Sequence, residues 1–195
     1  MQSVERNSAD PSASRPESIR NLVAAIAQGT RSAQALVEQA RDNAALHAGL
    51  NAIPWVDWSA AVDQARVLDE EARSGRLRGP LHGVPVSIKD LYAVRGMPAR
   101  AGTRAPLPSL GTDEATLVAR LRAAGALVFA KTNMHEIALG CSGENEWTGD
   151  VCNPFDPARQ SGGSSSGSGV AVATGIGVAS IGSDTGGSVR IPAAF

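Results

Sequence analysis

Apolar residues recur along this chain at helical and strand spacings. Between 17 and 28 (ESIRNLVAAIAQ), Ile19, Leu22, Val23 and Ile26 fall on one side of a helix, and Gly29 follows as a stop. Thr30 or Ser32 is placed to cap a second helix running to about Leu46. Ser59 to Ala72 repeats the pattern with Ala61, Ala65 and Leu68, and Asn51 to Val56 (NAIPWV) reads as a short strand before it. Ser74 to Pro80 is a basic, Gly-containing turn. Val84 to Ile88 (VPVSI) and Ala126 to Ala130 (ALVFA) read as buried strands, the first with Pro85 near its start, where proline is tolerated. From 90 to 112 the chain is rich in Gly, Pro and Arg and reads as a long connection. Thr112 or Asp113 is expected to cap the next helix, with Leu117, Val118 and Leu121 as its buried stripe and Gly125 at its end. Asn133 is expected to cap a short helix, with Glu136 as capping-box partner. Strand, helix and strand between 84 and 130 make a βαβ unit, which requires parallel pairing. The expected fold class is α/β: a mixed, partly parallel twisted sheet flanked by helices.

Composition narrows the function classes. The chain has 195 residues, with 18 Lys+Arg against 19 Asp+Glu and a formal net charge of -1, so it offers no electrostatic case for nucleic acid or an anionic membrane. Trp55, Trp58 and Trp147 are too scattered for a base-stacking platform. A hydrophobic share of 43% supports a packed core, and no apolar run approaches the length of about 20 residues that a membrane span needs. Residues 1–16 are polar, lack an apolar signal segment and read as a disordered leader, which leaves 17–195 as one domain. Cys141 and Cys152 have no metal spacing and are too few for a disulfide framework, so they read as reduced thiols of a cytoplasmic protein. His135 and Glu136 lack a third ligand at suitable spacing; neither metal nor cofactor is expected.

Glycine is the outlier, at 21 residues, and much of the excess falls after position 160. Ser161 to Gly169 (SGGSSSGSG) would ordinarily read as a flexible linker. Its length is that of a loop between ordered elements, and a second Gly-rich turn, Gly182 to Ser188 (GSDTGGS), follows closely. Nucleotide-loop patterns do not fit: Gly162 to Gly167 is followed by Ser168 rather than Lys, and between the two tracts Gly175 and Gly177 (GIGVAS) lack the third glycine of a dinucleotide fingerprint.

Two Gly-flanked serines, Ser164 and Ser188, and a lysine just after a buried strand, Lys89, suit acyl transfer. A serine hydroxyl needs a base, and His47, His82 and His135 all lie outside the Gly-rich loops. A lysine serves if it is neutral. Bringing it from about 10.4 to between about 7 and 8 takes roughly 3 to 5 kcal/mol, which desolvation can supply. Lys89 emerges from a strand end, where open α/β sheets place their sites. The run from Asp184 to Ser188 lets several N–H groups converge, and a helix beginning after Ser188 (VRIPAAF) would add its positive end, as an oxyanion hole requires. Taken singly, Lys89 reads as a surface charge, Ser164 as a linker serine and Ser188 as a helix cap; their joint pattern favours chemistry. The alternative of another class is a non-catalytic Gly-rich anion-binding module.

These residues resemble the amidase signature family. The likeness lies in Ser161 to Gly169 and in Gly182 to Phe195 (GSDTGGSVRIPAAF). It extends to Gly79 to Asp90 (GPLHGVPVSIKD), Ala130 to Glu136 (AKTNMHE) and Asn153 to Pro157 (NPFDP). The resemblance implies a Ser–cis-Ser–Lys triad: Ser188 as nucleophile, Ser164 as the bridging serine after a cis bond from Gly163, and Lys89 as base. It implies an oxyanion hole from the N–H groups of Thr185, Gly186, Gly187 and Ser188, with Ser165, Asp184 and Arg190 in support. Lys131 resembles a family position too, but its ordinary structural reading is kept. The family's full domain is well over twice this length, so the chain reads as its N-terminal portion, truncated after the nucleophile loop. Ser166 departs from the glycine that many members carry. The implied substrate is a small-molecule amide, and the implied partners are a second copy of the chain or the other subunits of an amidotransferase. The second functional reading is accordingly the A subunit of a tRNA-dependent glutamine amidotransferase, which hydrolyses glutamine and passes ammonia on.

Overall fold

A computed structural model describes residues 17–110 and 113–195. The expected leader, 1–16, and Thr112 as a helix cap lie outside the described residues. The first helix, α1 (Ile19–Ala27), starts at Ser18, whose hydroxyl accepts from Asn21 N–H, and buries Leu22 and Ile26. Ser32 caps α2 (Ala33–Leu46) by accepting from Ala35 N–H, while Thr30 turns its hydroxyl back to Ala25 O. Asp57 caps α3 (Trp58–Arg73), which buries Ala61, Ala65, Leu68 and Ala72. A second carboxylate, Asp69 on α3, accepts from the first N–H groups of α2, Ala33 and Gln34, and so ties the two helices together.

The sheet has four strands in the order β1 (Trp55–Val56), β3 (Leu127–Thr132), β2 (Pro85–Lys89) and β4 (Ala179–Ile181). β1 runs antiparallel to β3, while β2 is parallel to both β3 and β4, so the sheet is mixed as expected. Only Trp55 and Val56 of the expected strand from Asn51 pair. α4 (Thr116–Ala123) crosses between β2 and β3. Alternation along the buried strands feeds two cores. Val84, Val86, Ile88, Ala126 and Val128 pack with Leu22, Ile26, Leu36 and Val118. Leu127 and Phe129 pack with the small residues of α2 and α3 and with Ala171 and Ile176. A register shift between Val86 and Ser87 brings Ile88 opposite Lys131 and Lys89 opposite Thr132. Among the described residues no helix is long and apolar enough to cross a membrane.

Three expectations are corrected. α4 has no side-chain cap, and of its stripe only Val118 is fully buried; Leu117 is 38% exposed because α4 is a short crossover touching the sheet along one line. Asn133 does not cap a helix. It is buried, donates to Asn51 O and Gly149 O, and accepts from Thr148 Oγ1, while Glu136 accepts from Thr103 Oγ1 and Trp147 Nε1. The turn at 136–138 is a short 3-10 helix with no capping side chain. Finally, the Gly/Ser tract is a loop only to Ser165, and α5 (Ser166–Ala173) begins inside it. Small residues make that helix possible. A Cβ on Gly167 would collide with the Ala52 carbonyl and the Asn133 backbone, and Asn133 O accepts from Gly167 N–H. Close tertiary packing overrides the poor helix propensity of glycine and serine. The last helix, α6 (Arg190–Ala194), follows Ser188 closely, as expected.

Candidate active site

Lys89 is the last residue of β2, and its side chain is fully buried. Its ammonium nitrogen meets three hydroxyls and no carboxylate: Ser164 Oγ at 2.6 Å, Ser165 Oγ at 2.9 Å and Ser183 Oγ at 2.9 Å. Burial pushes the Lys89 amine down to about 8 from 10.5, with Asp184 opposing as the nearby negative charge. Asp90, the next residue, points to the other side of the strand and pairs with the buried Lys131.

Ser164 and Ser165 are delivered by the loop that runs into α5. The Gly163–Ser164 peptide is cis. Gly163 N–H donates to Cys141 O, Ser164 O accepts from His135 N–H, and a Cβ on Gly163 would run into the Ser142 carbonyl. Ser164 is thus clamped between the 135–142 segment and the end of β2. Ser165 ties this loop to the second Gly-rich turn. Its N–H donates to Ser188 O at 3.1 Å, its hydroxyl donates to Ser183 O at 3.2 Å, and the same oxygen accepts from Ser183 N–H at 3.2 Å.

The second turn is organised by Asp184. One carboxylate oxygen accepts from Gly187 N–H and Arg190 Nη2, the other from the N–H groups of Val189 and Arg190 and from Arg190 Nε. The Arg190 guanidinium, with the three backbone donors, holds the Asp184 carboxyl well below the usual carboxylate range. Ser188 is half-buried and Thr185 and Gly186 are exposed. Gly187 N–H is engaged by Asp184, which takes it out of the expected set of outward donors. The turn's bonds to Asp184 leave out the N–H groups of Thr185, Gly186 and Ser188.

Chemically, this is a buried amine able to lose its proton near neutrality, in contact with three serine hydroxyls, that of Ser164 the nearest. Ser188 is half-buried on the adjoining turn, linked to this loop through its main-chain O, and the Asp184 network does not use the N–H groups of Thr185, Gly186 and Ser188. The arrangement suits base-assisted attack by a hydroxyl on a carbonyl. The amidase family model matches residues 35–195. This chain belongs to the amidase family.

Among curated amidase-family relatives, the A subunit of the glutamyl-tRNA(Gln) amidotransferase of Cupriavidus taiwanensis is 44% identical over 91% of this chain and 35% of its own length. The indoleacetamide hydrolase of Pseudomonas savastanoi is 44% identical over 91% of this chain and 38% of its own. A solved amidase structure superposes with a TM-score of 0.89 at 56% identity, over 92% of this chain and 41% of that one. The chain therefore spans little more than a third of the curated relatives it matches.

Within this amidase-family framework, the structure brings Lys89, Ser164 and Ser165 into direct contact, with Ser188 joined through its main chain and Asp184 and Arg190 paired at the exposed side of the turn. Sequence reasoning missed Ser183, the third hydroxyl on Lys89. It follows Gly182 in the second Gly-rich turn and so carries the same Gly-flanked signal as Ser188, but its place beside Lys89 follows from β4 ending beside β2. Lys131 is structural in its contacts: Nζ donates to Tyr92 O and Pro98 O and lies 3.2 Å from Asp90 Oδ1, holding the connection after β2 against β3.

Proposed function

We propose that this chain carries the catalytic residues of an amidohydrolase that cleaves a linear carboxamide to carboxylate and ammonia or amine. One observation carries the reading: a fully buried Lys89 amine, pushed down to about 8, contacts Ser164 Oγ at 2.6 Å. In the proposed cycle Ser188 gives its proton to Ser164, which passes its own to neutral Lys89. The Ser188 oxygen attacks the amide carbonyl, and the N–H groups of Thr185, Gly186 and Ser188 stabilise the negative charge. Collapse breaks the C–N bond, and the amine leaves with the proton returned from Lys89 through Ser164. Water, activated by the same relay, then hydrolyses the Ser188 ester.

The test is covalent labelling of this chain by a fluorophosphonate probe. Labelling at Ser188, lost in Ser188→Ala and strongly reduced in Lys89→Ala, is the expected result. Labelling that survives Ser188→Ala unchanged would rule the reading out, as would undiminished amide hydrolysis by a longer protein bearing that substitution.

The similarity to the A subunit of glutamyl-tRNA(Gln) amidotransferases favours one second reading. On it, the same residues hydrolyse glutamine within an amidotransferase built from several different chains. Co-purification with those partner chains, and glutaminase activity dependent on them, separates this reading from a free-standing amidase.

A further inference from the structure

Three oxygens surround Lys89 Nζ, yet a neutral amine has two N–H donors and one lone pair. Which oxygen receives the lone pair decides where the amine can draw a proton from. The hydroxyl of Ser165 gives its hydrogen to Ser183 O, and its oxygen already accepts from Ser183 N–H, so towards Lys89 it can only accept. Ser183 Oγ lies at the same 2.9 Å, on the side of the amine facing the second Gly-rich turn. Ser164 makes the shortest of the three contacts, at 2.6 Å.

We infer that Ser183 is a positioning residue. With Ser165 it takes the two N–H groups of neutral Lys89 and thereby aims the amine's lone pair at the Ser164 hydroxyl. This deepens the proposed function and rests on its assignment of Lys89 as base. The device needs groups that accept without carrying charge, because a carboxylate in either place would keep the amine protonated. Among the described residues the surroundings meet that condition. β3 places Thr132 opposite Lys89, the start of α5 adds only serines, and Tyr92 gives its hydroxyl to Gly182 O. Asp90 faces Lys131 across the strand, and Asp184, the one charge acting on Lys89, is held by Arg190.

Lys89 and Lys131 are the chain's two lysines, so lysine side-chain NMR of the whole chain resolves both without ambiguity. Ser183→Ala removes an acceptor that serves the ammonium more strongly than the amine. The Lys89 midpoint is therefore expected to fall from about 8 by roughly 0.5 to 1 pH unit. Ser183→Thr, which keeps the hydroxyl, is expected to restore it. Lys131 lies on other partners, and its unchanged signal reports an intact fold. Fluorophosphonate labelling above the Lys89 midpoint is expected to fall by about tenfold in Ser183→Ala, since a misdirected lone pair lowers the plateau. An unmoved midpoint in the folded variant, or an undiminished plateau, would overturn the inference. If the unsubstituted chain is not labelled at all, the acyl-enzyme reading fails on this chain, and the titration alone decides the role of Ser183.

Discussion

The pH dependence of the Ser188 reaction follows from the state of one amine. Lys89 titrates at about 8 rather than 10.5 because burial penalises its charge. That displacement corresponds to about 3 kcal/mol against the ammonium form. At pH 7 about one molecule in eleven holds the neutral amine, and at pH 9 about ten in eleven do. Labelling of Ser188 should therefore rise about tenfold between pH 7 and pH 9, along a single-proton curve centred near 8. Lys89→Arg fills the same site with a group that never deprotonates, and it should be inert across the range. The linked stability runs the same way. Since the folded-state value lies below the unfolded one, the folded chain binds fewer protons, and its stability rises with pH between about 8 and 10.5. The assay is the second-order labelling rate against pH, with intact-mass detection. A flat profile from pH 6.5 to 9, or a midpoint close to that of an exposed lysine, would refute the argument.

Other consequences are local. Asp90→Ala leaves the Lys131 charge buried without its carboxylate, and urea unfolding should show a loss of about 3 to 5 kcal/mol. Gly167→Ala should destabilise the chain even though alanine favours helix by about 1 kcal/mol, because the new Cβ meets the backbone of Ala52 and Asn133; a raised unfolding temperature would contradict that packing. Asp184→Asn removes the negative charge that opposes the depression of Lys89, so the Lys89 midpoint should move below about 8, as read by lysine NMR.

What could be read in advance was whatever left a local mark. The strands at 84–88 and 126–130 are apolar runs, broken only by Ser87, because both faces of the sheet are covered, and a buried run is legible without knowing its neighbours. The Gly-flanked serines are legible for the opposite reason, since a run of glycine and serine stands out from the apolar pattern around it, although residues 161–168 are buried. Features that arise from two segments meeting left no such mark. α5 is a helix because Gly167 lets it approach Asn133 closely, and nothing within SGGSSSGSG announces that contact. The register shift at Ser87 decides which residues of β3 stand beside Lys89, yet its cause lies in pairing rather than in either strand alone. Asn133 has the local signature of a cap because it precedes a polar turn, whereas its amide bonds two other segments, at Asn51 and at 148–149. Ser183 acquires its role only when β4 closes against β2.

The two lysines show how partner chemistry, rather than depth, separates structure from reactivity. Both are fully buried, and they stand one strand apart in the same sheet. Around Lys131 the partners are the carboxylate of Asp90 and the carbonyls of Tyr92 and Pro98. Such groups only accept, so a deprotonated Lys131 would leave its lone pair facing other lone pairs; burial still lowers the Lys131 amine, and Asp90 opposes that push with its charge and its hydrogen bond. Around Lys89 every partner is a hydroxyl. A hydroxyl can accept from an ammonium and can donate to an amine, so both protonation states remain hydrogen-bonded and burial alone tips the balance towards the neutral form. The same fold thus holds one lysine that anchors the connection after β2 through acceptors alone and another, the proposed base, whose partners serve both protonation states.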